Sequence, residues 1–310
     1  MAEGSRTVVL AALAGNLAIA VSKGVAFALT GSSAMLTEAI HSCVDTGNQM
    51  LLLLGMRRAK RPPDERHPFG HGLEAYFWAF VVALMIFALG GAVSVWEGLH
   101  KLRNPEPIDR PWINYIVLGL AILFEGGSFA VAWREFGKVR RGAPFLLSLG
   151  RSKDPNIFAV LLEDLAALIG LVMALAGVAG SSVFGWEQAD GLASIGIGLL
   201  LIAIAVYLAN ETRSLLSGEA ASEDVLDRVR EALTSDPRVT AVGRLDSMHL
   251  GPEEILLGVT LVLRDDLSAT EVGRAVDELT ARLKAVDPRI NRVFLRSGRV
   301  SAVEAQAASP

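Results

Sequence analysis

The stretch Met35–Gly55, "MLTEAIHSCVDTGNQMLLLLG", reads as one apolar helix, yet it carries Glu38, His41, Asp45 and Asn48. The spacings between them are 3, 4 and 3, which put all four on one helical face. Ionisable groups at bilayer depth cost roughly 2.5–3.5 kcal/mol each on insertion scales, so this stripe must face protein or a water-filled cavity. His41 and Asp45 offer an imidazole nitrogen and a carboxylate oxygen one turn apart, half of a tetrahedral site for a zinc-like ion. The competing reading is a buried hydrogen-bond network between helices. Two further polar groups on the same face favour the metal.

The rest of the chain is apolar enough to surround such a helix with others. Of 310 residues 52% are hydrophobic and 20% charged, and the mean hydropathy is +0.42, too high for an ordinary soluble domain. Six segments reach the ~20 residues a bilayer core needs: Val8–Leu29, Ala34–Met56, Leu73–Val95, Trp112–Trp133, Ile157–Ala179 and Ala189–Ala209. The first is longer than a signal-peptide core and has no evident cleavage site, so it reads as a retained span. The single cysteine, Cys43, excludes an internal disulfide. A net charge of −4 excludes a general nucleic-acid surface.

After Leu216 the composition turns charged. "SEDVLDRVREALTSDP" reads as an amphipathic helix with Ser222 as N-cap, and "VTAVGRLDSMHL" and "ILLGVTLVL" read as strands. "SATEVGRAVDELTARLKAVDP" is a second helix and "RVFLRS" a last strand. The α-β-β-α-β order is compatible with a small two-layer α+β domain. Val259, Leu261 and Leu263 share one strand face, to be buried against the domain's own helices or against a second copy. No internal repeat is evident. The expected domains are a six-helix membrane domain over 1–215, an α+β domain over 216–300 and a disordered tail over 301–310. The loops after the second and fourth spans carry Arg57, Arg58, Lys60, Arg61, Arg66 and Arg134, Lys138, Arg140, Arg141, Arg151, Lys153. The positive-inside rule then makes both termini and the α+β domain cytoplasmic, in a multi-pass protein of the cell membrane.

Other acids lie inside the apolar runs. Glu163 and Asp164 sit in the fifth span, where adjacent positions diverge by about 100°, so at most one points straight at a shared ion. Glu125 sits in the fourth span beside Gly126 and Gly127, which would admit a neighbouring helix. Lys23, near the end of the first span, either snorkels or pairs with a carboxylate such as Glu38. The loop "PDERHPFGHG" gathers Asp64, His67 and His71 within eight residues. It is a candidate cation site, against the alternative of a solvated loop.

"GSSAMLTEAIHSCVDTGNQ", "HPFGHGLEAYFWAF", six spans and an α/β tail together resemble the cation diffusion facilitator family over nearly the whole chain. The form of the fifth span, "DPN…VLLEDLAALIG", is similar to the branch that contains the mitochondrial zinc transporter nine. The resemblance implies a homodimeric, non-enzymatic antiporter exchanging Zn²⁺, or Mn²⁺, Fe²⁺, Co²⁺ or Cd²⁺, for protons. It also implies a tail of ferredoxin-like, metallochaperone-like fold. Its transport site falls on His41, Asp45 and Asp164, and its loop site on Asp64, His67 and His71. The family's fourth transport ligand falls on Val160, which cannot bind a metal, leaving Glu163, Glu125 or water to complete the site. With His249 its only histidine and no cysteine, the tail is expected to be structural rather than metal-binding. The rival classes are a metal-responsive membrane sensor or scaffold without transport and an intramembrane metalloenzyme. The chain has no HExxH and no nucleophile paired with a base, which disfavours the enzyme.

Overall fold

The structure is a computed structural model that describes residues 2–30, 33–104, 111–140 and 153–298, with the backbone alone at 2, 3, 30, 33–38, 40, 41, 111, 139 and 140. The side chains of Glu38 and His41, the loop residues 141–152 and the expected tail over 301–310 therefore lie outside the described residues. The chain divides into two compact units, one of Met1–Arg58 with Glu74–Arg213, the other of Ala59–Leu73 with Ser214–Pro310.

The first unit is helical. It comprises α1 (Ala2–Thr30), α2 (Ser33–Ala59), α3 (Glu74–Met85) continued by a π-helical turn (Ile86–Ala92) into α4 (Val93–Arg103), α5 (Pro111–Arg140), α6 (Pro155–Ser182) and α7 (Ala189–Leu216). Among the described residues, five runs are long and apolar enough to cross a bilayer: Gly4–Leu29, Glu74–Arg103, Trp112–Lys138, Pro155–Ser182 and Ala189–Leu216. The 27 residues of α2 span about 40 Å and carry the polar stripe. Helix α6 begins on an N-cap, Asp154, whose carboxylate accepts from the Asn156 N–H at 3.1 Å, with Pro155 in the first turn. Ser5 of α1 donates to the other oxygen of Asp154, and the Tyr76 hydroxyl of α3 donates to the Lys153 carbonyl at 3.3 Å. The start of α6 thus fixes the ends of two other helices.

Two glycine positions set the approach of α4 to α7. A Cβ on Gly98 would lie 2.7 Å from the Gly191 carbonyl oxygen, and one on Gly198 would lie 2.8 Å from that of Gly91. Where lipid competes for apolar surface, bare backbone at the crossing allows the dense contact that holds helices together. The glycines beside Glu125 do not act this way. A Cβ on Gly126 or Gly127 would meet nothing within 4 Å, so among the described residues no helix makes the expected close approach there.

The second unit holds α8 (Glu223–Thr234), β1 (Val239–Gly251), β2 (Glu254–Leu263), α9 (Ala269–Val286) and β3 (Ile290–Ser297). The sheet order is β1-β2-β3, with β2 antiparallel to β1 and parallel to β3. Strand β2 buries every second residue. Ile255, Leu257, Val259 and Leu261 pack on Val225, Val229 and Leu233 of α8 and on Leu279 and Leu283 of α9. The face that carries Val259, Leu261 and Leu263 is therefore covered by the unit's own helices, and it supplies no argument for a second copy. Ser222 caps α8 without a side-chain hydrogen bond, whereas Ser268 and Glu271 form a reciprocal capping box on α9.

A short internal repeat, not evident in the linear reading, is built into this unit. Asp236-Pro237-Arg238 ends α8 and Asp287-Pro288-Arg289 ends α9, each leading into a strand. In both, the arginine Nε and terminal nitrogen grip the aspartate bidentately at 2.8–2.9 Å. The turns are also cross-braced. Arg228 of α8 donates to the Val286 carbonyl beside the second turn, and Arg282 of α9 donates to the Ala232 carbonyl beside the first. Hydrogen bonds from the Arg238 side chain, aided by its N–H and charge and by Arg282, hold the Asp236 carboxyl down at about 2. Arg289 lowers that of Asp287 in the same way.

A lowered folded-state pKa gives stability that is present above the ordinary carboxylate range and lost as pH falls from about 4 towards 2. Asp236→Asn is expected to destabilise the second unit by about 1–2 kcal/mol at pH 7, with the gap from wild type closing over that acid range. Amide exchange of β1–β3 in the full chain would measure it. A gap as wide at pH 2.5 as at pH 7 would show that the aspartate's charge is not the source.

Candidate metal centre

Two groups of polar residues stand out, one within the helical unit and one in the loop between α2 and α3. In the helical unit α2 and α6 meet through side chains. The Asn48 amide donates to Glu163 Oε1 at 3.3 Å and the Gln49 amide donates to Glu163 Oε2 at 2.8 Å. One residue further on, Asp164 turns to a different helix and accepts from Ser128 Oγ of α5 at 2.6 Å. The ~100° between neighbouring helical positions sends the two carboxylates to two partners. Asn48, Gln49, Ser128, Glu163 and Asp164 are all buried, as are Glu125 of α5 and Lys23 of α1.

Glu125 and Glu163 lie within electrostatic range of each other and each within range of Asp45 and Asp164, and Lys23 lies within range of Glu125. Lys23 is thus drawn inward to the acids. Val160, three residues before Glu163, is fully buried and apolar. Carboxylates from α2, α5 and α6 are in this way concentrated inside an apolar unit, with one lysine against four acids among the described residues. The imbalance invites a cation. The backbone of α2 carries His41 one turn before Asp45 on the same helix. Gln49 and Ser128 were not singled out from the sequence. Each had a positional signal: Gln49 is four residues after Asp45, and Ser128 three after Glu125, so each shares a face with a buried acid.

The loop group is tighter. Asp64 Oδ1 accepts from the N–H groups of Arg66 at 2.9 Å and His67 at 2.7 Å, an Asx-type turn. The His67 ring nitrogen Nδ1 lies 3.2 Å from Asp64 Oδ1, and His71 Nε2 lies 3.1 Å from Oδ2. The two imidazoles are 4.3 Å apart between centroids. Among the described residues, Asp64, His67 and His71 are the one trio whose ligand atoms lie within 4.8 Å of one another. The His67 N–H, with hydrogen bonds from the His71 and His67 rings, holds the Asp64 carboxyl down at about 2, so it is ionised throughout the neutral range. Two imidazoles and one carboxylate form a borderline donor set suited to zinc, cobalt or iron.

At the base of this loop Arg58 stacks over Trp78, 5.2 Å from the ring centroid, and Trp78 Nε1 donates to Glu74 at 2.8 Å. The loop itself, Ala59–Leu73, belongs to the second unit. Gly72 lies against the Leu250 carbonyl with no room for a Cβ, and Arg292 of β3 sits 5.4 Å from the Phe69 ring centroid. Gly70 adopts φ +88°, which lets the chain turn back between His67 and His71.

Residues 9–217 match the family model described as the cation efflux transmembrane domain. The Xenopus laevis protein named proton-coupled zinc antiporter SLC30A9, mitochondrial, is 34% identical over 255 residues, which cover 82% of this chain and 46% of that protein. Metal tolerance protein C4 of Arabidopsis thaliana is 31% identical over 225 residues, 72% of this chain and 49% of that protein. Cation-efflux pump FieF of Escherichia coli O1:K1 / APEC is 25% identical over 254 residues, 81% of this chain and 78% of that protein. The chain spans about half the length of the first two relatives. With its apolar helices it is an integral, multi-pass membrane protein. Two thirds of its length match one domain model, and on that ground the chain belongs to the cation efflux family.

Proposed function

We propose that the chain is a proton-coupled efflux transporter of divalent cations, with zinc as the principal substrate, and not an enzyme. The observation that carries this reading is the group formed by buried Glu125, Glu163 and Asp164 with half-buried Asp45, drawn from three helices of an apolar unit. Its support from kinship is membership in the cation efflux family and likeness to proteins named as a zinc antiporter and a cation-efflux pump.

Metal ligands must be deprotonated to bind, so protons and a metal compete for the same atoms. Carboxylates inside a bilayer need a counter-charge at every stage. A site open to one side at a time would load a cation, reorient, release it and return carrying protons, which is alternating access with exchange. In this reading α2 is the sixth span beside the five apolar runs, and His41, Asp45 and Asp164 are the transport ligands. Glu163, from the face of α6 that Val160 occupies, is the fourth group at the site, as ligand or as proton carrier beside it. Asp64, His67 and His71 capture ions at the cytoplasmic side. Both termini are cytoplasmic, and the α+β unit, ferredoxin-like in type, serves a homodimer in the cell membrane. The alternative is a metal-responsive sensor or scaffold that binds without transport.

Purified protein in vesicles loaded with a zinc dye separates these readings. Zinc flux driven by a pH gradient supports transport, and binding without flux supports the sensor. Asp45→Ala and Asp164→Asn are each expected to remove flux while elution and expression match wild type. Wild-type flux in both would sink the site assignment.

Glu163→Gln should lower zinc affinity or move the pH dependence of transport. If Glu125→Gln does so and Glu163→Gln does not, the fourth group belongs to α5. If neither has an effect, water completes the site.

His71→Ala or Asp64→Ala is expected to slow flux without abolishing it, because a capture site is not the crossing point. Complete loss in a correctly assembled variant would put the loop on the obligatory ion path.

A further inference from the structure

The grip on Glu163 leaves something over. Both amides turn their nitrogens towards it, Asn48 Nδ2 at 3.3 Å from Oε1 and Gln49 Nε2 at 2.8 Å from Oε2. Asn48 Oδ1 and Gln49 Oε1 then face elsewhere, and both are buried and accept no hydrogen bond among the described residues. Asn48 is 1% exposed and Gln49 fully buried, so bulk water does not reach either oxygen. Buried acceptors left unmatched in a native structure call for a specific partner, an ion or an ordered water. The surroundings favour an ion. Asn48 and Gln49 stand three and four residues after Asp45, the two positions on α2 that neighbour it on the helix surface. Glu163, Asp164 and Glu125 complete a neighbourhood rich in acceptors, in which Lys23, the Ser128 hydroxyl and the two amide nitrogens are the donors identified among the described residues.

We propose that the side-chain carbonyl oxygens of Asn48 and Gln49 are cation ligands beside Asp45 and Glu163. They supply neutral, hard oxygens on the side of the site where α6 presents Val160. The inference rests on the transport-site reading above and extends it to substrate class. Carboxylate and carbonyl oxygens suit harder cations such as Mn²⁺, while imidazole favours zinc. Two added carbonyls therefore widen the site's range from Zn²⁺ towards Mn²⁺. Their amide nitrogens serve a separate purpose, holding Glu163 in place. The amide of each side chain thus acts twice, its nitrogen donating to Glu163 and its oxygen serving as a ligand to the ion.

The test compares Mn²⁺ and Cd²⁺ binding by the detergent-solubilised full chain, read by the Mn²⁺ electron spin resonance signal and by competition calorimetry with Cd²⁺. Asn48→Ala is expected to weaken Mn²⁺ by about tenfold or more, the scale on which shell residues act, and Cd²⁺ much less. The same loss should persist when Asn48→Ala is placed on a Glu163→Gln background. A loss that disappears there would mean that Asn48 acts only by orienting Glu163, and it would overturn the proposal. Asn48→Asp keeps a hard oxygen at the same reach and should restore Mn²⁺ binding. If it is as weak as Asn48→Ala, or if Asn48→Ala and Gln49→Ala both bind Mn²⁺ as wild type does, the oxygens are satisfied by water and the proposal fails. Wild-type protein that binds no Mn²⁺ overturns it as well. Because binding is read without flux, a chain that binds but does not transport would overturn the transport reading while leaving the ligand assignment standing.

Discussion

A carboxylate cannot be left alone inside an apolar helical unit, and the arrangement around Glu163 follows from that constraint. Two adjacent amides on α2 reach across to α6 and take both of its oxygens. Its neighbour Asp164 is taken by a serine on α5. Burying an ionised acid is tolerable only where such partners stand ready, so these contacts fix which faces of α2, α5 and α6 turn inward. Once they are fixed, Asp45 and Glu125 are brought into range of the same point. The polar group is a consequence of helix packing and also one of its determinants.

The other helices are held by different means. Between α4 and α7 the contact is bare backbone at glycines, with no polar bond required. The start of α6 is pinned by Ser5 and by Tyr76, which tie the ends of α1 and α3 to the helix that carries two acids. Apolar crossings slide more easily than hydrogen-bonded ones, because no directional bond opposes the movement. The helical unit thus combines a polar grip at its acids with glycine contacts elsewhere.

The second unit solves a smaller problem twice. Each of its helices ends in Asp-Pro-Arg, the aspartate taking the arginine side chain of its own turn while an arginine from the opposite helix braces the carbonyl before it. The sheet uses its apolar face on these helices. The loop that carries Asp64, His67 and His71 is grouped with this unit and is packed on its β1–β2 turn and on Arg292. A candidate cation site between two helices in the sequence is thus seated on a separate folded body.

Much of this could be read without coordinates, because helical periodicity and bilayer length are local properties. The 3-4-3 stripe on α2, the long apolar runs, the α-β-β-α-β order and the Asp64-His67-His71 spacing each need only a few turns of chain to be recognised. The family motifs, too, are contiguous. The direction of each acid was a different matter. Whether Glu163 or Asp164 turns to α2 depends on the rotation of α6 against its neighbours, which no single helix specifies. The roles of Gln49 and Ser128 depend on acids more than a hundred and some thirty residues away in the chain. Likewise the glycines beside Glu125 looked like a crossing point and are not, since a small residue permits close approach without causing it. Local pattern determined which residues are polar in an apolar place. Only the packing of helices decided which of them meet, because burial energy is set by what lies across the interface rather than along the chain.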